Sequence, residues 1–178
     1  MKWSPLTLGA LAALSTTTIP VVAHAKVYLS VEQAQKQIFG NLAMQAKPIV
    51  LSADIQQRMR DASSVSHPFT GNRLWKTAQG GWFIVDEVVG KHEMITYALG
   101  INPDGSIKQI EILEYRESYG FEVAQASWRQ QFVGKTNQAV LKLNKDIQNV
   151  SGATLSAKHL TDGVKRLMVM HELVLKNQ

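Results

Sequence analysis

The run from Ser151 to Ser156 carries the side chain of this sequence that is best placed to do chemistry. It reads Ser-Gly-Ala-Thr-Leu-Ser, so the hydroxyl of Thr154 stands in a turn-forming segment. An amphipathic helix is predicted directly after the run, from about Ala157 to Leu175, because apolar residues recur there at helical spacing. A helix N-terminus offers free N–H groups and a favourable dipole to an anion such as phosphate. The glycine and alanine before the threonine leave room for a bulky group to approach the backbone.

The same run also fits an ordinary helix cap, since Ser, Thr and Gly are common cap and turn residues. A second block lies upstream, in residues 112–120 and 128–135. It has a strand pattern, a Glu-rich turn with a glycine, and then Trp, Phe and Gly-Lys. In this order, the block and the run Ser151–Leu167 resemble the FMN-binding domain family. That family includes periplasmic flavin subunits of the sodium-pumping quinone reductase and of related membrane electron-transport complexes. The resemblance covers about Trp75 to Leu167.

The resemblance implies an FMN cofactor attached through a phosphoester bond to the threonine hydroxyl by a separate flavin transferase with FAD as donor. It also implies an electron carrier that works with a membrane electron-transfer partner. The cofactor-binding residues that it implies are Thr154, Ser151, Gly152, Ala153, Leu155, Ser156, Glu117, Tyr119, Gly120 and Lys135.

Three of the side chains near the motif are candidates for contact with the cofactor, and two of them have an alternative interpretation. Tyr119 or Trp128 would pack on the flat isoalloxazine ring, and the alternative for Trp128 is ordinary core packing. Lys135 would pair with the FMN phosphate as a point charge, and the alternative is a solvated lysine. One position departs from the family, which usually has an acid three residues before the motif serine. Gln148 stands there instead, and Asp146, two residues earlier, is the candidate substitute.

The elements that position these residues follow from alternating and turn-forming patterns. Antiparallel strands joined by short turns are expected, because Gly80-Gly81 and the segment 102–105 are turn signals between apolar runs. The four predicted strands are Leu74–Thr77, Trp82–Val89, Glu93–Ile101 and Ser106–Tyr115. A helical turn is expected over residues 127–132 and an extended segment over 140–150. The fold class is therefore α+β, a twisted antiparallel sheet with N-terminal helices and a C-terminal helix packed on it.

Upstream of the strands the sequence predicts two helices. Ser30 begins a capping box, and a helix is expected from there to about Gln45, ended by Pro48. A second short helix follows Ser52, and residues 61–72 are predicted to be a loop. The predicted organisation is a signal peptide over residues 1–25, an N-terminal helical segment and loop over 26–72, and an FMN-binding domain over 73–178.

The first 25 residues are typical of a secretory signal. They contain a positively charged start, an apolar stretch and the small-x-small sequence Ala23-His24-Ala25 that signal peptidase cuts. Polar residues and a proline interrupt the apolar stretch, which disfavours a membrane anchor of roughly 20 apolar residues. We therefore expect cleavage after Ala25 and a periplasmic location.

Composition excludes several classes of function. The sequence has no cysteine, so disulfides, thiolate iron–sulfur ligands and the usual haem attachment motif are ruled out. The net charge of +5 is spread along the chain, and nucleic-acid binding, which needs a clustered basic stripe, is not expected. The histidines lack metal-site spacing, so no metal site is predicted, and no hydrolase or dinucleotide-binding motif assigns catalytic residues. Two alternatives to the electron carrier stay open: a non-redox periplasmic ligand-binding or accessory module, and a flavin-dependent reductase.

Overall fold

A six-stranded antiparallel sheet organises residues 26–178, which are the residues that the computed structural model describes. The strands are β1 Lys26–Val27, β2 Met44–Ala46, β3 Leu74–Thr77, β4 Trp82–Val89, β5 Met94–Ile101 and β6 Ile107–Tyr115. Their order in the sheet is β1-β6-β5-β4-β3-β2. The four predicted strands are present and pair with their neighbours along the chain, so the antiparallel meander is confirmed. The predicted signal peptide lies outside the described residues.

Helices cover both faces of this sheet, which confirms the α+β class. They are α1 Val31–Phe39, α2 Ala53–Ser63, α3 Ala126–Arg129 and α4 Thr154–Leu173. Short 3-10 turns occupy Phe121–Ala124, Gln130–Phe132 and Leu175–Asn177. The predicted capping box at Ser30 is present, and the Ser52 side chain also caps its helix by accepting the N–H of Ile55. None of the helices among residues 26–178 is long and apolar enough to cross a membrane.

The two faces of the sheet bury alternate residues of each strand, as the two-residue period of a strand requires. In β4, Trp82, Ile84 and Val88 belong to the larger core, which α2 and α4 cover. Phe83 and Val85 point the other way, into a smaller core under α1. The N-terminal segment thus adds a helix to each face and a strand to each edge of the sheet. The boundary at residue 72 remains a prediction from the sequence.

A buried ion pair fastens the middle of α4 to the sheet. Arg166 Nη2 lies 2.6 Å from Asp86 Oδ2, and both side chains are almost fully buried. The Tyr97 hydroxyl donates to the same carboxylate at 2.9 Å, and Arg166 Nη1 donates to the His67 carbonyl oxygen at 2.8 Å. Breaking such a pair leaves a buried charge uncompensated, at a cost of about 3–5 kcal/mol. The position of α4 on the sheet is therefore strongly fixed.

Four of the predicted boundaries were clearly wrong. The loop predicted from residue 61 begins later, because α2 continues to Ser63. Helix α1 ends at Phe39 because Gly40 takes a φ of +66°, and residues 44–46 form β2 rather than helix. Residues 140–150 do not run extended: positive φ values at Leu141 and Asn144 fold them into a turn closed by a bridge between residues 143 and 147. Helix α4 begins at Thr154, three residues earlier than predicted.

Candidate functional site

Three segments meet at one end of the sheet and enclose a cavity of about 590 Å³. They are the β4–β5 turn, the loop after β6, and the residues around the start of α4. Strand pairing explains the meeting, because Ile95 at the start of β5 lies opposite Tyr115 at the end of β6. The lining residues are Lys91, His92, Glu93, Arg116, Glu117, Ser118, Tyr119, Gly152, Ala153, Thr154, Leu155 and Ser156. Cofactor sites commonly have volumes of roughly 300–1,000 Å³, so the cavity can hold an organic ligand.

Thr154 is the first residue of α4, and its exposed side chain lines the cavity. Its Oγ1 accepts a hydrogen bond from Asn149 Nδ2 at 3.1 Å, which leaves the hydroxyl proton free to be donated. Within the described part of the chain, the N–H groups of Thr154, Leu155 and Ser156 have no acceptor. The free N–H groups and the positive end of the helix dipole both favour an anion at this position.

The residues beside Thr154 leave open space and offer apolar surface. Gly152 has a φ of +82°, and a Cβ added there would meet nothing within 4 Å. Tyr119, which is 82% exposed, and Leu155, which is 43% exposed, present apolar surface at the cavity. Flat aromatic ligands are held by contacts of this kind. The cavity therefore combines an anion-binding end with apolar surface.

Ser156 and Ala153 are placed differently from the exposed motif residues. Both are almost fully buried, and the Ser156 hydroxyl lies 3.0 Å from the hydroxyl of Tyr115. Gly120, with a φ of +85°, packs against Ala153, since a Cβ added at Gly120 would lie 3.1 Å from the Ala153 Cβ. The predicted loop and the predicted motif are thus in direct contact.

Glu117 binds backbone groups of the neighbouring turn. Its Oε1 accepts the N–H of His92 at 2.5 Å and the N–H of Glu93 at 3.0 Å. Partial burial acts to raise the pKa of Glu117, but these backbone hydrogen bonds outweigh it and the pKa lies below its usual value. An ionised Glu117 therefore ties the β4–β5 turn to the loop after β6.

Three of the predicted residues do not line the cavity: Ser151, Gly120 and Lys135. Lys135 lies beside Ile107 at the opposite end of β6, where its carbonyl oxygen accepts the N–H of Ile107. Its Nζ pairs with Asp146 Oδ2 at 3.4 Å. The predicted pairing of Lys135 with the FMN phosphate does not fit this position, because a nine-residue strand separates the lysine from the cavity.

The residues before the motif are held by backbone contacts. The indole N–H of Trp128 donates to the Gln148 carbonyl oxygen at 2.8 Å, and its ring packs edge-on against Phe132 in the core. Trp128 is therefore a packing residue that anchors the segment leading into the motif. The Asp146 carboxylate accepts the N–H groups of Leu141 and of Lys142, so it closes a turn, whereas the Gln148 side chain is exposed.

Sequence reasoning missed five of the lining residues and the two polar neighbours of the motif. The missed lining residues are Lys91, His92, Glu93, Arg116 and Ser118. A signal for them was available, because pairing β5 with β6 through the turn at residues 102–105 brings the β4–β5 turn beside the end of β6. Nothing in the sequence distinguishes Asn149 or Tyr115, whose roles depend on contacts with Thr154 and Ser156.

Comparison with known proteins agrees with this geometry. A sequence model of the FMN-binding domain matches residues 90–169, which span the β4–β5 turn, the loop after β6 and most of α4. The chain is also similar to one component of the proton-translocating ferredoxin:NAD(+) oxidoreductase complex of Clostridium ljungdahlii. The two are 25% identical over 131 residues, which cover 67% of this chain and 71% of that protein.

The resemblance to the FMN-binding domain family is therefore confirmed over residues 90–169. The cavity fits that cofactor: free N–H groups and an exposed hydroxyl suit its phosphate, and Tyr119 and Leu155 suit its ring. No group of three or more potential metal ligands occurs within residues 26–178.

Proposed function

We propose that this protein is an exported flavoprotein that carries FMN covalently on Thr154 and acts as an electron carrier in a membrane-linked chain. The observation that carries the proposal is the position of the Thr154 hydroxyl. It is exposed in the cavity, at the first residue of a 20-residue helix whose leading N–H groups have no partner among the described residues. An anion attached to this oxygen lies where the helix favours negative charge.

The attachment is a phosphoryl transfer in which this chain supplies the nucleophile. Thr154 Oγ1 forms a bond to the phosphorus of the FMN half of FAD, the pyrophosphate bond breaks and AMP leaves. The hydroxyl proton passes to a base, which a flavin transferase supplies, since an unaided threonine hydroxyl is a weak nucleophile. The hydrogen bond from Asn149 holds the oxygen in place while leaving its proton free.

Once attached, the isoalloxazine ring supplies reversible redox chemistry, and the protein supplies position and electrostatics. The free N–H groups of the first turn of α4 would hold the phosphate, and Tyr119 and Leu155 would contact the ring. Lys91 and Arg116 line the cavity together with Glu93 and Glu117, so the formal charges of these side chains balance. The attraction for the phosphate therefore comes from the N-terminus of α4.

The partner and the compartment are the other parts of the proposal. The similar Clostridium protein is part of a proton-translocating ferredoxin:NAD(+) oxidoreductase complex. By analogy, this chain exchanges electrons with a membrane partner that carries out any ion translocation. The signal pattern in residues 1–25 supports a periplasmic location. Covalent attachment suits that location, because an exported protein with a diffusible cofactor would lose it.

The experiment that tests the attachment is coexpression with a flavin transferase, followed by in-gel flavin fluorescence after denaturation. Thr154→Val keeps the shape of the side chain but removes the oxygen, so covalent flavin is lost while the fold survives. Ser151→Ala is the matched control, because it removes a neighbouring exposed hydroxyl that does not line the cavity. Gln148→Asp restores the acid usual in the family and is expected to raise the labelled fraction.

Two outcomes contradict the proposal. Fluorescence that persists in Thr154→Val shows that another residue carries the flavin. An unlabelled wild-type chain, in the presence of a transferase that labels a known substrate, favours the non-redox binding module instead.

A further inference from the structure

The hydroxyl of Tyr115, the last residue of β6, joins two walls of the cavity. It donates to the Tyr119 carbonyl oxygen at 2.6 Å and lies 3.0 Å from Ser156 Oγ. A tyrosine hydroxyl has one hydrogen to donate, so in this arrangement the Ser156 hydroxyl donates to Tyr115. The Tyr115 side chain is buried, where a lost hydrogen bond is not readily replaced by water.

Close packing surrounds this junction. A Cβ added at Gly120 would lie 2.8 Å from the Tyr115 hydroxyl oxygen and 3.1 Å from the Ala153 Cβ. The loop after β6, the end of β6 and the residue before α4 therefore meet without spare volume. Among the hydrogen bonds of residues 26–178, the one between Tyr115 and Ser156 links the end of β6 to the first turn of α4.

The two walls joined in this way carry different parts of the cofactor site. The loop carries Tyr119, whose exposed ring lines the cavity, and the helix carries Thr154. A shift of the loop relative to the helix changes the distance between the ring-contacting surface and the attachment point. The hydroxyl of Tyr115 is therefore placed to set that distance.

We infer that Tyr115 is a positioning residue of the cofactor cavity, and that Ser156 acts through Tyr115 rather than on the FMN phosphate. This inference rests on the proposed function, and it gives Ser156 a role that its place in the motif does not reveal. The flavin ring is held between the loop and the helix as long as the hydroxyl junction is intact. Without the junction the loop opens and the ring becomes mobile and accessible, although the flavin stays attached to Thr154.

The test compares Tyr115→Phe with Tyr97→Phe in flavin-labelled protein. Tyr97 is the matched control, because it is also fully buried and its hydroxyl donates to Asp86, away from the cavity. In Tyr115→Phe the fluorescence anisotropy of the flavin falls. Quenching of the flavin by iodide increases roughly fivefold. This is the increase in the population of the open loop that corresponds to the loss of about 1 kcal/mol of hydrogen bonding. Tyr97→Phe keeps the wild-type anisotropy and quenching.

A double-mutant cycle separates positioning from direct contact. If Ser156 acts through Tyr115, Ser156→Ala lowers the anisotropy, and the double variant Tyr115→Phe/Ser156→Ala equals Tyr115→Phe alone. Additive effects show that Ser156 contacts the cofactor itself and overturn the inference. Thr161→Val is the control for the serine, since Thr161 is buried on the same helix and donates to the Ala157 carbonyl oxygen.

Other outcomes of these experiments also overturn the inference or the proposed function beneath it. Wild-type anisotropy and quenching in folded Tyr115→Phe, or equal changes in Tyr97→Phe, overturn the inference. Circular dichroism establishes whether each variant folds. If Tyr115→Phe does not fold, the comparison of Ser156→Ala with Thr161→Val replaces it. Unchanged anisotropy in Ser156→Ala then overturns the inference. Wild-type protein that carries no flavin after coexpression with the transferase instead overturns the proposed function, and with it the premise of this inference.

Discussion

Replacing Gly120 by alanine tests whether the loop after β6 packs against the motif as the structure shows. Two costs add at this position. The residue has a φ of +85°, where an L side chain costs about 1 kcal/mol. The new Cβ would also lie 2.8 Å from the Tyr115 hydroxyl oxygen, and overpacking of a buried contact costs about 1–3 kcal/mol. We therefore expect Gly120→Ala to lower the free energy of unfolding by about 2–4 kcal/mol.

Gly134 supplies a matched control for the backbone contribution. Its φ is +79°, but a Cβ added there would meet nothing within 4 Å. Gly134→Ala is therefore expected to lose only about 1 kcal/mol. Urea denaturation followed by tryptophan fluorescence measures both variants. With a slope of about 2 kcal/mol per molar urea, the midpoint falls by about 0.5 M for Gly134→Ala and by about 1–2 M for Gly120→Ala.

The same measurement in the Tyr115→Phe background identifies the atom that causes the extra loss of stability in Gly120→Ala. Phenylalanine removes the hydroxyl oxygen that the Gly120 Cβ would meet, so Gly120→Ala should cost less there than in the wild type. Equal losses for Gly120→Ala and Gly134→Ala would refute the reasoning, because they would leave no cost for the contact with Tyr115. An unchanged cost in the Tyr115→Phe background would place the clash at Ala153 instead.

Two further predictions concern pH and export. Burial acts to raise the pKa of Asp146, but hydrogen bonds from Lys142 and Leu141 and the charge of Lys135 outweigh it, so the pKa lies below its usual value. The stability this carboxylate contributes is present above about pH 4 and is lost as pH falls through the lowered pKa. In urea titrations at falling pH, Asp146→Asn should lose less unfolding free energy than the wild type. An equally steep loss would contradict the attribution of this pH dependence to Asp146. For export, sequencing from an exporting host should give a mature N-terminus at Lys26, and an intact leader on membrane-bound protein would contradict it.

The sequence predicted the central strands well because each of them buries alternate residues between two helical layers. The ends of β3 and β4 agree with the prediction, and β5 and β6 begin one residue later than predicted. Such agreement is expected where local pattern and tertiary burial demand the same conformation. Strand β2 was missed because its three residues are mostly exposed and carry no alternating pattern, and its pairing with β3 gives it strand structure.

The candidate site was predicted where the family motif includes its residues and missed where tertiary contacts define it. Thr154 and its motif neighbours apart from Ser151, together with Glu117 and Tyr119, do line one cavity. Lys135 was misplaced because sequence distance from the motif does not reveal which end of β6 a residue adjoins. Conversely, Tyr115 lies 41 residues from Ser156 in sequence, and no local pattern predicts that their hydroxyls meet.

The pairing of β1 with β6 has a practical consequence for fusion proteins. Lys26 lies opposite Tyr115, so the first described strand runs beside the cavity end of the sheet. Helix α4 starts at the cavity and carries the chain away from it. Gln178, the last described residue in the sequence, accepts a hydrogen bond from Lys76 of β3. An affinity tag or fluorescent protein joined just before Lys26 would therefore crowd the cavity and hinder a transferase or a redox partner. The same tag joined after Gln178 would leave the approach to Thr154 open.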